Sequence, residues 1–173
     1  SHEACSLAGH QRLDRLVVLF DDNRISIDGP TSLATSDDTL QRFQAYHWRV
    51  GAVDGHDPAA VEAALAGAQH ADRPTLIACR TTIGYGAPSK AGTAATHGSP
   101  LGADEVAAAR RQLGWPHAPF EIPTAILEGW RSFGGRGAAA HAAWQARLSA
   151  QPSELVAEFE RVYAGDLPTG LDG

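Results

Sequence analysis

Three short apolar runs, separated by stretches with helical spacing, constrain this chain more than any other feature. The first, Leu16-Val17-Val18-Leu19-Phe20, is rich in β-branched residues and bounded by polar ones. That is the pattern of a strand buried on both faces inside a parallel sheet. A second strand is predicted over 48–53, and a third over Thr75-Leu76-Ile77-Ala78-Cys79. Asp37-Asp38 opens a predicted helix over 37–46. Asp57 and Pro58, as N-cap and first helical residue, open an alanine-rich one to about residue 71. A helix over 2–13 precedes the first strand, with Ala4, Leu7 and Ala8 on one face. Strand, helix, strand, helix, strand at this spacing predicts an α/β fold, a parallel sheet with helices on both faces and right-handed crossovers.

After Arg80 the periodicity stops. Residues 81–102 are mostly Gly, Ala, Ser, Thr and Pro, and an irregular segment of that length in a compact domain is usually functional or disordered. Helices are predicted again over 104–113, 123–133, 138–150 and 153–164, with Gly134-Gly135-Arg136-Gly137 as a break. The expected division is therefore 1–133 as the main domain and 134–173 as a helical extension. At 173 residues the chain suits one domain with an appendage. Its net charge of −6 leaves no concentrated basic face, which argues against nucleic acid or an anionic membrane as partner. No apolar run is long enough to span a bilayer. Cys5 and Cys79 are too few for a disulfide framework and read as reduced, buried thiols of a cytoplasmic protein. The absence of methionine predicts a segment of a longer polypeptide.

The segment 21–29 follows the first strand, at the sheet edge where open α/β folds bind ligands. Asp and Asn oxygens suit Mg²⁺ or Ca²⁺. An EF-hand loop would place Ile25 and Ser32 at ligand positions, so that motif fails. A phosphoacceptor receiver pocket would need an aspartate after the third strand, and Cys79-Arg80-Thr81 does not supply it. Taken alone, Asp21-Asp22-Asn23 is equally well a solvated turn. Among the eight histidines no pair has the helical spacing of a zinc site. His97 stands out because small residues flank it in the glycine-rich loop, letting backbone and ligand approach. His56 is expected to shape the start of its helix, and His47, His70, His117 and His141 to lie at the surface.

Asp21-Asp22-Asn23-Arg24-Ile25-Ser26-Ile27-Asp28-Gly29 resembles the Asp-Asp-Asn-x-Ile-Ser-Ile-Asp-Gly stretch of transketolases. Ser1-His2-Glu3-Ala4 is similar to the segment that follows that family's Gly-Asp-Gly motif. Asp54-Gly55-His56-Asp57, Ile83-Gly84-Tyr85-Gly86, Lys90-Ala91-Gly92-Thr93, His97-Gly98-Ser99-Pro100-Leu101-Gly102 and Ala118-Pro119-Phe120-Glu121-Ile122-Pro123 follow in family order. The resemblance runs over essentially the whole chain and is to the bacterial type. Two positions depart from it: Ala94-Ala95-Thr96 is shorter and less polar than usual, and Ala87-Pro88-Ser89 replaces Ser-Pro-Asn.

This resemblance implies a thiamine diphosphate fold and part of an enzyme of the pentose phosphate pathway. Such an enzyme transfers a two-carbon ketol unit from a ketose phosphate to an aldose phosphate, as a cytoplasmic homodimer. A dihydroxyacetone synthase, or a fragment that keeps the fold alone, is the alternative. By position, the Asn23 side chain and the Ile25 carbonyl would be ligands of Mg²⁺ (or Ca²⁺) and so cofactor-binding residues. His97 would touch diphosphate and sugar, serving as catalytic, cofactor-binding and substrate-binding residue. Glu3 would fall in an acidic set at the dimer interface. The family's third metal ligand would lie ahead of Ser1, and residues 134–173 would lead towards a pyrimidine-binding domain. Residues 1–173 alone are accordingly expected to be inactive.

Overall fold

The structure, a computed structural model, describes residues 1–168 and 170. They form two compact units, Ser1–Pro116 and His117–Gly173. In the first, α1 (His2–His10) leads into β1 (Val17–Asp22), followed by the two-residue strands β2 (Ile25–Ser26) and β3 (Gly29–Pro30). Then come α2 (Thr39–Ala45), β4 (Arg49–Asp54), α3 (Pro58–Ala68), β5 (Thr75–Arg80) and α4 (Ala103–Gln112). Local chemistry explains the helix starts. Asp38 accepts a hydrogen bond from the Gln41 amide at 2.9 Å. The Asp57 carboxylate takes the amides of Ala59 and Ala60 at 2.9 and 3.2 Å, with Pro58 at the first position, where no N–H is needed.

The main sheet is parallel, in the order β1-β5-β4. The last strand in sequence lies between the other two, so Leu76 pairs in register with both Val18 and Val50. These three share a face by the twofold alternation of a strand. Ala8, Trp48, Leu40 and Phe43 join them in the core under α1 and α2. The indole N–H of Trp48 donates to the Cys5 carbonyl at 2.8 Å. Gly9 permits the close approach of α1, because a Cβ there would lie 1.8 Å from the Tyr46 carbonyl oxygen. Arg49 points to the opposite face and donates to the Gly67 carbonyl at 2.8 Å, tying α3 to that side.

The expectation that the first strand is buried on both faces is corrected. Leu19 is 50% exposed while Leu76 is 2% exposed, since β1 is an edge strand among the described residues and β5 is central. Both cysteines are free thiols, but only Cys79 is buried and Cys5 is half-buried. Burial, and then the charge of Asp21, raise the Cys79 pKa.

The second unit contains α5 (Thr124–Gly135), α6 (Ala138–Ser149) and α7 (Ser153–Ala164). Trp144 meets Phe159, and Phe159 stacks on Tyr163, so aromatic contacts join α6 to α7. The two compact units meet between Pro116 and His117, and Gly134 and Gly135 complete the last turn of α5. Among the described residues no helix is long and apolar enough to cross a membrane.

Candidate functional site

The acidic pair that ends β1 is consumed by structure. Asp22 forms an ion pair with Arg80 at 2.7 Å, and the same guanidinium donates to the Asp22 carbonyl at 2.9 Å. The Thr81 hydroxyl donates to Asp21. Both acids therefore tie the end of β1 to the end of β5, leaving Asn23 as the next polar side chain. Arg24 turns the chain with φ of 62°, and the β2–β3 hairpin follows, held by Thr31 N–H to the Arg24 carbonyl at 2.9 Å and Ser26 hydroxyl to the Gly29 carbonyl at 3.0 Å.

Within that hairpin Ile25 lies opposite Pro30 in a pair that makes no ladder hydrogen bonds, because the neighbouring Arg24–Thr31 pair is the bonded one. The Ile25 N–H points away from Pro30 and donates to Asn23 Oδ1 at 3.0 Å. In an extended residue N–H and C=O point to the same side of the strand, so the Ile25 carbonyl lies on the side of the Asn23 amide. Two neutral, hard oxygens with spare lone pairs thus sit together at the carboxyl end of β1. This donor chemistry fits Mg²⁺ or Ca²⁺ beside phosphate. Two oxygens are fewer than the roughly six such ions take, so the rest must come from phosphate, water and other protein groups. Among the described residues no group of three or more His, Cys, Asp and Glu could hold a metal.

At the neighbouring strand ends, Gly55 donates to the Arg80 carbonyl at 2.7 Å, and a Cβ at Gly55 would lie 2.5 Å from the Thr81 methyl. The Asp54 carboxylate accepts the His56 amide at 2.9 Å. The His56 ring does more than shape a helix start: Nε2 accepts the Thr82 N–H at 2.8 Å, and the ring stacks on Tyr85 with centroids 4.0 Å apart. With Nε2 accepting, the neutral ring carries its proton on Nδ1. Asp54, His56, Arg80, Thr81 and Thr82 line an open cleft of about 560 Å³. A larger cleft, about 880 Å³, lies against α6 and α7. Its lining combines the apolar Trp144, Leu148, Val156 and Phe159 with His141, Ser149 and Glu160.

Residues 81–102 make some hydrogen bonds within the segment and others to residues outside it. Gly92 N–H donates to the Ile83 carbonyl at 2.8 Å. Gly84, with φ of 66°, packs so closely on Thr96 that a Cβ would lie 2.7 Å from its methyl. A short 3-10 turn, Ala94–Thr96, ends at His97, whose N–H donates to the Ala94 carbonyl at 3.0 Å. Through Thr96 and Gly84, His97 is carried back towards the end of β5. Its imidazole is exposed, and no hydrogen bond joins it to Asn23 or Ile25 among the described residues. Glu3 is exposed, with the terminal amine 3.7 Å from its carboxylate.

The residues that sequence reasoning passed over are those that hold the loop. Glu105 Oε1 accepts the amides of Ser89 and Lys90 at 2.7 and 3.1 Å, and Oε2 accepts the Ser89 hydroxyl at 2.7 Å. These bonds, those of Ser89 foremost, lower the Glu105 pKa. Lys90 Nζ donates to the Leu101 carbonyl at 2.7 Å. A glutamate in the first turn of a helix signals only a favourable dipole position, so nothing in the sequence pattern points to its partners.

The family described as the transketolase thiamine diphosphate binding domain matches residues 1–168. A transketolase of Cereibacter sphaeroides is 53% identical over 166 residues, covering 96% of this chain and 25% of that protein. Transketolase 2 of Escherichia coli K12 is 49% identical over 173 residues, covering 97% and 26%. Among solved structures, the Campylobacter jejuni transketolase has a TM-score of 0.83 at 35% identity, covering 93% of this chain and 25% of that one. A Pichia stipitis transketolase in complex with sedoheptulose-7-phosphate has a TM-score of 0.86 at 34% identity, covering 97% and 26%. The chain spans about a quarter of the length of these relatives.

Proposed function

The chain belongs to the transketolase thiamine diphosphate-binding domain family, and from that premise we propose that the protein carrying it is a transketolase. It moves a two-carbon ketol unit from a ketose phosphate to an aldose phosphate in the pentose phosphate pathway, as a cytoplasmic homodimer. The observation that carries this reading is the match over residues 1–168, which includes the Asn23–Ile25 pair at the sheet's carboxyl edge. Sugar phosphate substrates are supported by the Pichia stipitis relatives solved with fructose-6-phosphate and with sedoheptulose-7-phosphate. The relatives named above are transketolases, which favours this over a dihydroxyacetone synthase.

Thiamine diphosphate, when bound, supplies the carbon nucleophile and the electron sink that ketol transfer needs. In the reading proposed here, residues 1–133 form most of the diphosphate-binding part and 134–173 lead on towards a pyrimidine-binding domain. Asn23 Oδ1 and the Ile25 carbonyl would hold the Mg²⁺ (or Ca²⁺) that screens the diphosphate charge, with the Ile25 N–H donating to Asn23 Oδ1 and fixing that side chain beside Ile25. The His97 imidazole, exposed and without a side-chain hydrogen bond among the described residues, is free to donate to diphosphate or sugar oxygens and to move a proton there. Arg80 pairs with Asp22 and the Thr81 hydroxyl holds Asp21, so both aspartates that precede Asn23 are engaged with the end of β5.

The test is ketol transfer by the whole protein with thiamine diphosphate and Mg²⁺, before and after chelation. Transfer that vanishes with the metal and returns on its addition is the expected result. His97→Ala should lower turnover on ketose phosphates, by about 100-fold if it transfers a proton, while leaving the melting temperature near its original value. Absence of transfer with every ketose phosphate tried would overturn the reading.

A further inference from the structure

The loop that carries His97 is closed by side chains rather than by secondary structure. Its composition gives it little apolar surface to bury, so its conformation depends on specific bonds. Glu105 supplies three of them from the first turn of α4, all to Ser89 and Lys90. Lys90 then reaches forward to the Leu101 carbonyl, just ahead of the same helix. Together they make a ring: residue 90 is bonded to both the start of α4 and the residue at the far end of the loop. Residues 91–100, His97 among them, lie inside that ring.

The ring is also fastened to the sheet. Gly92 donates to the Ile83 carbonyl, and Thr96 rests on Gly84. A carboxylate accepting several N–H and O–H bonds forms the stronger, charge-assisted kind. Closing such a loop restricts the backbone states between its ends.

We propose that Glu105 is a positioning residue, whose grip on Ser89 and Lys90 fixes the closed loop and so sets where His97 stands relative to the end of β5. The proposal rests on the reading of His97 given above, and it names the group on which that reading depends. Glu105 touches neither cofactor nor substrate in this scheme. Its effect reaches the chemistry only through the backbone of residues 89–101. The two departures from the family pattern, at Ala87-Pro88-Ser89 and Ala94-Ala95-Thr96, both lie within or beside this ring. Ser89 contributes through its hydroxyl and its amide, so the first departure is built into the grip.

The experiment compares the whole protein with its Glu105→Ala and Glu105→Gln variants, by amide hydrogen exchange without cofactor and by ketol-transfer kinetics. In Glu105→Ala the amides of Ser89, Lys90 and Gly92 should lose protection by about tenfold or more, with those of β5 unchanged. Turnover should fall about tenfold, and Glu105→Gln should restore most of both, because its amide oxygen still accepts two N–H bonds. Full protection of the loop in Glu105→Ala, loss spread into β5, or unchanged kinetics in an active enzyme would each overturn the proposal. Loop-confined loss of protection in a protein that transfers no ketol unit keeps the grip and retires the transketolase reading instead. Should Glu105→Ala not fold, Lys90→Met, which cuts the ring at Leu101, carries the same two readouts.

Discussion

Two segments that follow strand ends carry the candidate site residues, and they are built on opposite plans. Residues 23–30 are fixed by their neighbours in sequence: Asn23 takes the Ile25 amide, and Ile25 faces Pro30 across a two-residue hairpin. Residues 81–102 are fixed from far along the chain, by His56 at Thr82 and by Glu105 at Ser89 and Lys90. A local turn keeps its shape whenever its own residues are present. A remotely anchored loop keeps its shape only while the elements bearing the anchors are packed. The first plan suits two oxygens that, as proposed metal ligands, must stay a fixed distance apart. The second makes His97 sensitive to changes in α3 and α4 that leave the Asn23–Ile25 pair intact.

The contrast breaks most sharply at Asn23. Asn23→Ala should weaken thiamine diphosphate binding at limiting Mg²⁺ by about 100-fold, with the melting temperature and the loop's exchange pattern preserved. Calorimetric titration of the whole protein measures it, and unchanged affinity removes Asn23 from the metal site. Gly84→Ala comes next, because it places a side chain at φ of 66° and 2.7 Å from the Thr96 methyl. It should destabilise by about 1–3 kcal/mol in urea unfolding and raise exchange around residue 97 while leaving the Ile25 amide protected. Equal disturbance of both segments would show that they are not independent.

His56→Ala removes the acceptor of the Thr82 N–H and should cost about 1 kcal/mol, seen as faster exchange at Thr82 and none at Ile25. The smallest effect concerns pH. The pKa of Glu105 is lowered from the ordinary 4.5 by the Ser89 amide, the Ser89 hydroxyl and the Lys90 amide. A group with a depressed folded pKa contributes its full stabilisation above its unfolded value and loses it as pH falls through the folded one. The grip on the loop is therefore complete above about pH 4.5 and weakens only below it. NMR titration of the Glu105 carboxyl, read beside the Lys90 amide, checks this. A midpoint above 4.5 would contradict it.

Much of the site was legible in the chain itself. Asp-Asp-Asn at the end of a β-branched run places hard oxygens at a sheet edge, and Pro58 after Asp57 announces a helix with an acidic cap, as observed. The roles of the two aspartates were not legible, because Arg80 and Thr81 are their partners only once β1 and β5 lie side by side. His56 and Glu105 were passed over for a related reason. A histidine near a helix start and a glutamate in a first turn both have sufficient local explanations, and neither explanation names the distant amides they accept.

What the sequence determined alone is whatever rests on contacts between near neighbours: the three strands, the capped helices and the order of motifs along the chain. Tertiary structure decided the rest. Leu16-Val17-Val18-Leu19-Phe20 and Thr75-Leu76-Ile77-Ala78-Cys79 are equally apolar as written, yet Leu19 is half exposed and Ile77 only 2%. The difference arises because strand order is set by which edges meet across the sheet, and an apolar run carries no mark of how many neighbours it will have. The loop that bears His97 follows the same rule. Its shape is held by hydrogen bonds that exist only after α3, α4 and β5 have come together, since a side chain's partner is chosen by proximity in space and not along the chain.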